Sequence, residues 1–283
     1  MADLMYRGRF APSPTGPLHM GSLVTALGSF LDARSHHGEW YLRIDDIDPP
    51  RHDKRSFESI PRCLESHGLV WDGDIILQSQ RREAHEDYLS KLRHEGYLFD
   101  CLCTRATLGD RGACVSSCRG HKNIDGSVRF HLPIDAPEIL DDLFLGQEHT
   151  DSLPENFIVK RRDGLIAYQL ATAVDDLDEG YTHVIRGSDL LESSLRQMVI
   201  HQALRRPSPE YGHLPIVTDK AGIKLSKQTG ALAVDQNTPI SNLRDALAFL
   251  KQPSPPKDID RVDDILHHAI INWRRDTLKS GNL

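Results

Sequence analysis

The sequence predicts an α/β protein built on a doubly wound, Rossmann-like parallel sheet, and three observations predict it. Short strand-like runs alternate with helix-period segments through the first hundred residues. A rigid turn, Pro12-Ser-Pro-Thr-Gly-Pro17, separates the first strand-like run from the first helical pattern. The second run ends in the acidic group Asp45-Asp46-Ile47-Asp48. Polar residues therefore gather where the carboxyl ends of the strands are expected, the place where such sheets hold ligands.

The elements follow in order. Arg7 to Ala11 is expected as a strand, and it stops there because three prolines remove ladder donors and fix φ. His19 to Arg34 reads as a helix, with Leu23, Ala26, Leu27, Phe30 and Leu31 at helical spacing. Trp40–Ile44 is a second strand. Helical patterns at 53–67 and 80–95 flank the apolar run Ile75–Leu77. Alternation stops near Asp100. Regular patterning returns at Phe157–Arg161, Tyr168–Val174 and Thr182–Ile185, then in a helix over Leu190–Leu204 and a strand at Leu214–Val217. Asp175 and Asp176 read as a solvated strand end rather than as Mg²⁺ ligands. Gln252-Pro-Ser-Pro-Pro256 is a linker signal, and a helix over Asp260–Leu278 follows it. The expected organisation is a first half-core over 1–99, an inserted subdomain over 100–158, a second half-core over 159–235, and a helical C-terminal region over 236–283.

Composition narrows the function classes. A chain of 283 residues with 39% hydrophobic and 27% charged content can bury a sizeable core. No apolar run approaches the ~20 residues that span a bilayer, and the N-terminus lacks the apolar core of a secretory signal. A cytoplasmic monomer without membrane contact is expected. The net charge of −7 argues against a protein that coats nucleic acid indiscriminately, but a local basic surface is compatible with it. Candidate clusters are Arg51-Lys54-Arg55, Arg81-Arg82, Lys160-Arg161-Arg162, Arg205-Arg206 and Arg274-Arg275, each more simply read as a solvated face.

Two segments carry chemistry. A helix N-terminus presents unpaired N–H groups and a partial positive charge, so a helix starting at His19 attracts phosphate. Pro14, Gly16 and Pro17 shape the turn, His19 can donate to a phosphate oxygen, and Gly21 leaves room for a flat adenine ring. Far along the chain, Lys224-Leu-Ser-Lys227 offers two cations that would neutralise a leaving pyrophosphate, with Gly222 and Gly230 as hinges. His19, Gly21, Lys224 and Lys227 are the expected catalytic residues, and with Ser22 they form the expected ATP site. Arg9 can fork onto a carboxylate, and Ser13 adds a hydroxyl donor.

Arg9–Ser22 and Lys224–Lys227 together resemble the HIGH and KMSKS signatures of the class I aminoacyl-tRNA synthetases, in the wording of the glutamyl branch. The resemblance implies activation of L-glutamate by ATP, with its accompanying Mg²⁺, to glutamyl-adenylate. It implies that Arg9 and Ser13 bind glutamate. It also implies that Asp45 meets the substrate ammonium where the family usually carries Glu, a side chain one methylene longer. Ala167-Tyr168-Gln-Leu-Ala171 resembles the segment whose tyrosine lines the glutamate pocket. Val184-Ile-Arg186-Gly-Ser-Asp189 resembles the segment whose arginine pairs with the glutamate side chain.

Cys101, Cys103, Cys114 and Cys118 form a C-x-C-x10-C-x3-C arrangement suited to one tetrahedral, structural Zn²⁺. His121 is a possible replacement ligand, and Cys63, on a helical pattern, reads as a buried small hydrophobe. In related synthetases the inserted subdomain approaches the acceptor. Only 56 residues follow Lys227, so no independent anticodon-reading domain is expected. In this the chain resembles a truncated branch of the glutamyl family. That likeness implies queuosine-containing tRNA(Asp) as the acceptor, glutamate being esterified onto the modified base. Two other readings stay open: a minimal enzyme charging the 3′ end of tRNA(Glu), and a zinc-stabilised RNA-binding protein without catalysis.

Overall fold

The computed structural model describes residues 5–108, 114, 118, 125–133, 136–137, 139–149, 156–218 and 232–279. In chain order the elements begin with β1 (Arg7–Phe10), α1 (Met20–Ser35), β2 (Glu39–Ile44), α2 (Ser56–Ser66), β3 (Ile76–Leu77) and α3 (Arg82–His94). They continue with β4 (Leu98–Cys101), α4 (Arg105–Leu108), β5 (Ser127–Phe130), β6 (Ile139–Asp142), β7 (Gly146–His149) and β8 (Phe157–Lys160). The second half holds α5 (Tyr168–Asp178), β9 (His183–Gly187), α6 (Leu191–Ala203), β10 (Glu210–Leu214), α7 (Pro239–Phe249) and α8 (Val262–Ile271).

Three sheets result. β1 pairs in parallel with β2, and β2 with β3, across helical crossovers. β9 pairs in parallel with β10 along its full length, and β10 pairs in parallel with β6, whose hairpin partner β7 closes the edge. The Thr182 amide donates to the Arg7 carbonyl at 2.9 Å, and the Arg7 amide donates to Thr182 Oγ1 at 2.9 Å. The two parallel sheets therefore abut at β1 and β9 and grow away from that seam in opposite directions. A ligand crevice belongs at such a reversal of strand order. The third sheet, β4-β5-β8, is antiparallel, with Phe130 stacked between Tyr97 and Phe157. The hairpin β6–β7 lies in the chain between β5 and β8, yet it completes the β9–β10 sheet instead.

Close packing fixes α1 over the seam. A Cβ on Gly28 would lie 2.5 Å from Leu214 Cδ1, so the glycine lets Leu214 of β10 pack directly onto the helix. Leu23, Leu27 and Leu31 of α1 pack with Trp40 and Leu42 of β2 in the main core. Asp32 is buried on the same helix and accepts from Tyr6 Oη, Trp273 Nε1, and Nε and Nη2 of Arg275 at 2.7–2.9 Å. That carboxylate fastens the C-terminal segment to the core. Gln252 is also buried, donating to Leu250 O, Arg274 O and Thr277 Oγ1. The expected linker is thus tied down, and within the helical region expected over 236–283 it joins α7 to α8.

Three local expectations need correction. Tyr168–Val174 begins a helix, and Asp175 and Asp176 are fully buried in it rather than solvated at a strand end. Leu170, Ala173, Val174 and Leu177 lie one helical turn apart and pack into the second core. β10 starts at Glu210 and ends at Leu214, because Pro215 cannot donate to a ladder. The last helix is shorter than expected, ending at Ile271 before a 3₁₀ turn at Arg275–Leu278. Cys63 is buried as expected, and burial pushes its thiol up to about 11.

Candidate active site

At the seam between the two parallel sheets lies a cleft of about 480 Å³. β1 contributes Arg9, the Pro/Gly turn contributes Ser13, and the start of α1 contributes His19, Gly21 and Ser22. Tyr168 enters from the first turn of α5 and Arg186 from β9. The turn is pinned from both sides: the Asp45 amide donates to Pro12 O at 3.0 Å and the Asp53 amide to Pro14 O at 2.8 Å.

His19 is the N-cap of α1, with extended backbone, and its Nδ1 accepts from the Ser22 amide at 3.3 Å. Ser22 Oγ lies 3.2 Å from His19 Nε2. No acidic residue occupies the first turn, so the partial positive charge there is not offset from within the helix. A Cβ on Gly21 would come within 3.1 Å of the His19 ring, so the glycine keeps that imidazole in place. Lys224, Lys227, Gly222, Gly230 and His121 lie outside the described residues. The flanks of residues 219–231 are described, and both reach the cleft. Val217 lines it, and the Val234 amide donates to Leu18 O at 2.9 Å beside a bridge between His19 and Ala233.

The three buried arginines around the cleft differ in their partners. Arg9 donates from Nε and Nη2 to both oxygens of Asp176 at 3.1 and 2.9 Å. Arg43 donates from Nε to Asp45 at 2.7 Å and from Nη1 to Asp176 at 2.8 Å. Burial alone would raise the Asp176 carboxyl, but Arg9 and Arg43 bring it down to about 2. Asp45 is raised, because its burial outweighs Arg43. Arg186 has only uncharged partners. Nη1 donates to Gln197 Oε1 at 2.9 Å and lies 3.4 Å from the Tyr168 hydroxyl, Nη2 donates to Ser194 Oγ, and Nε donates to His213 Nε2 at 3.4 Å. Its guanidinium lies over the Tyr211 ring, 5.0 Å from the centroid. Among the described residues Arg186 makes no ion pair, although only 3% of its surface is exposed. A buried cation without an anion is costly, so the site favours a ligand that brings one.

Arg9, Ser13, Tyr168 and Arg186 therefore line one cleft, and Asp45 lines an adjoining cleft of about 260 Å³ that shares Ser13, Thr15 and Tyr168. Sequence reading named Asp176 but not as the partner of Arg9, and it missed the Gln197, Ser194 and His213 set around Arg186. Nothing local marks them, since they come together only through the sheet and α6.

The four cysteines meet at the end of β4, and their sulfur atoms all lie within 4.8 Å of one another. Cys103 Sγ is 3.8 Å from Cys114 Sγ and 3.7 Å from Cys118 Sγ. A tetrahedral ion with ~2.3 Å metal–sulfur bonds needs sulfur–sulfur edges of about 3.8 Å. The four thiols can hold one metal ion. Burial, reinforced by the neighbouring thiols, pushes Cys103 up to about 12. Asn156 Nδ2 donates to Cys114 O at 3.0 Å and ties that cysteine to the antiparallel sheet.

Residues 5–114 and 115–247 match the sequence model of the family described as tRNA synthetases class I (E and Q), catalytic domain. The chain belongs to that family. A protein of Vibrio vulnificus (strain CMCP6) named glutamyl-Q tRNA(Asp) synthetase is 40% identical over 98% of this chain and 93% of its own length. One of Escherichia coli O157:H7 with the same name is 43% identical over 97% of this chain and 91% of its own. The crystal structure of a glutamate tRNA ligase from Elizabethkingia meningosepticum, in complex with its amino acid, superposes with a TM-score of 0.78 at 25% identity. This chain is covered to 98% and spans 66% of that ligase's length. The class I synthetase fold with α/β content expected from the sequence is thus present. In this class I synthetase chain the parallel sheet takes the form of two parallel ladders meeting at the seam that holds the cleft.

Proposed function

We propose that the chain activates L-glutamate with ATP to glutamyl-adenylate and transfers the glutamyl group to the queuosine base in the anticodon of tRNA(Asp). The observation that carries the glutamate assignment is Arg186, a buried cleft cation whose hydrogen-bond partners are all neutral. A side-chain carboxylate satisfies it, and the Tyr168 hydroxyl beside it adds a donor. Asp45, across Ser13 and Tyr168, takes the ammonium. Arg9 acts with Asp176 as a fixed wall of the same cleft.

The α-carboxylate of glutamate then faces the start of α1. Its oxygen attacks the α-phosphorus of ATP, the bond to the β-phosphate oxygen breaks, and pyrophosphate leaves. His19 donates to phosphate oxygen as charge builds, assisted by the start of α1 at Gly21 and by the Ser22 hydroxyl, while the Ser22 amide holds the imidazole. Lys224 and Lys227 neutralise the departing pyrophosphate, and the Mg²⁺ accompanying ATP supplies further charge. In the second step a queuosine hydroxyl attacks the mixed anhydride, an ester forms, AMP leaves, and the hydroxyl proton is released. The names of the close relatives support this acceptor. Zn²⁺ suits the four cysteines, where it would cross-link the strand end and its knuckles.

ATP–pyrophosphate exchange driven by glutamate in the absence of tRNA tests the first step, and no exchange would leave a binding protein. Labelled glutamate offered to queuosine-containing tRNA(Asp), an unmodified tRNA(Asp) transcript and tRNA(Glu) tests the acceptor. Labelling confined to the first supports the proposal, whereas charging of tRNA(Glu) replaces it with the 3′-end reaction.

A further inference from the structure

Behind Arg186 a line of buried side chains runs away from the cleft. Asp142, at the end of β6, accepts from His213 Nδ1 on β10. His213 Nε2 lies 2.8 Å from Ser194 Oγ on α6, and Ser194 Oγ accepts from Arg186 Nη2. All four residues are buried, Ser194 and His213 completely. Burial lowers the His213 pKa although Asp142 opposes it, and Arg186 Nε, which can only donate, lies 3.4 Å from Nε2, so Nε2 is an acceptor. With its one proton on Nδ1 facing Asp142, Nε2 has a lone pair for the serine hydroxyl, and the serine oxygen has one for Arg186.

We propose that Asp142, His213 and Ser194 form a one-way hydrogen-bond relay that positions Arg186 for an anionic side chain. The inference rests on reading Arg186 as the cation that binds the substrate carboxylate. The contrast with Arg9 gives the relay its purpose. Asp176 sits directly on Arg9 and uses up its charge, whereas Asp142 reaches Arg186 only through His213, which contacts Arg186 Nε at 3.4 Å and Nη2 by way of Ser194. The carboxylate polarises the hydrogen bonds that orient the guanidinium and leaves its charge for the ligand. Gln197 Oε1 and the Tyr211 ring hold the other side of Arg186. None of the three relay residues lines the cleft, so they are positioning residues.

Ser194 offers the clean test. Asp142 also accepts from the amides of Phe144, Leu145 and His213, so changing it would disturb the β6–β7 turn. In glutamate-dependent ATP–pyrophosphate exchange, Ser194→Ala is expected to raise the glutamate KM about tenfold, with kcat and the ATP KM retained. Ser194→Thr, which restores the hydroxyl, is expected to recover it. Nitrogen-15 NMR of the Arg186 guanidinium, which needs no activity, is expected to show faster Nη rotation in Ser194→Ala than in wild type. An unchanged glutamate KM in folded Ser194→Ala overturns the relay, as does a joint loss of kcat and ATP affinity that Thr does not rescue. If the alanine variant does not fold, Ser194→Cys, with its weaker hydrogen bond, decides by the same readings. A wild-type chain without glutamate-dependent exchange overturns the activation reading instead, and the relay is then decided by the NMR comparison alone.

Discussion

Arg9 forks onto Asp176, placing both oxygens of a carboxylate from α5 against a guanidinium from β1. The pair staples the two halves of the core beneath the cleft, and Arg43 shares the same carboxylate. Removing the carboxylate leaves two arginines buried side by side with too little negative charge. Asp176→Asn is expected to destabilise the fold by about 3–5 kcal/mol, measured by urea unfolding. Arg186→Ala strands no buried carboxylate, so it should leave the unfolding midpoint nearly intact while raising the glutamate KM by roughly a hundredfold. The reverse pattern, with Asp176→Asn stable and Arg186→Ala kinetically silent, would exchange the two roles.

Gly21 and His19 make a second pair whose spacing is tight enough to predict from. A methyl group on Gly21 would meet His19 Cε1 at 3.1 Å and Nδ1 at 3.2 Å, tight enough that the ring must give by a few tenths of an ångström. Gly21→Ala should therefore displace the imidazole from its N-cap position. Alanine is a better helix former, so the fold gains slightly if anything. The expected outcome is a fall in the exchange rate of about 10²–10³, matching His19→Ala, with an unchanged or higher melting temperature. A fully active Gly21→Ala would remove the imidazole from the reaction.

How much of this was legible in sequence follows from the range of each interaction. The His19 helix start was legible because its causes, a proline-rich turn and an apolar stripe at helical spacing, lie within some twenty residues. The five residues expected at the glutamate site were singled out through motif resemblance, which identifies residues but not their partners. Tyr168–Val174 was misread because a short apolar run has no clear period until Leu177 is counted with it. The pairing of β6 with β10 joins Asp142 to Tyr211 across a parallel connection, and no local signal sets such a register. Asp142, Ser194 and His213 were invisible for the same reason: the sheet assembles them.

The cysteine cluster predicts an effect confined to its own surroundings. Its sulfurs lie at the end of β4, and none of the four residues lines either cleft. The purified chain is expected to carry one equivalent of zinc by metal analysis. Stripping the metal should lower the melting temperature by several degrees, because the binding energy of a structural zinc is also folding energy. Cys103→Ser should do the same without chelator. A metal-free chain with unchanged melting behaviour would assign the cluster to something other than structural zinc.

Stability should fall in mild acid through His201. This side chain is buried on α6, with Nε2 3.0 Å from Ala173 O and Nδ1 3.0 Å from Ser208 Oγ. Both contacts suit a neutral ring that donates from Nε2 and accepts at Nδ1, and burial lowers its pKa from 6.5 to about 4. Since the folded value is depressed, the unfolded chain binds the proton more readily throughout that interval. The contribution is complete above pH 6.5 and is lost as pH falls toward 4, which amounts to about 2 kcal/mol between pH 6.5 and 5. His67, His183 and His213 are also depressed, chiefly by burial, and add in the same direction. Urea titrations at pH 7 and pH 5 should reveal the loss, and His201→Gln, which keeps a donor for Ala173 but does not titrate, should recover part of it. A His201→Gln chain with the same pH slope as wild type would place the acid sensitivity in the other histidines.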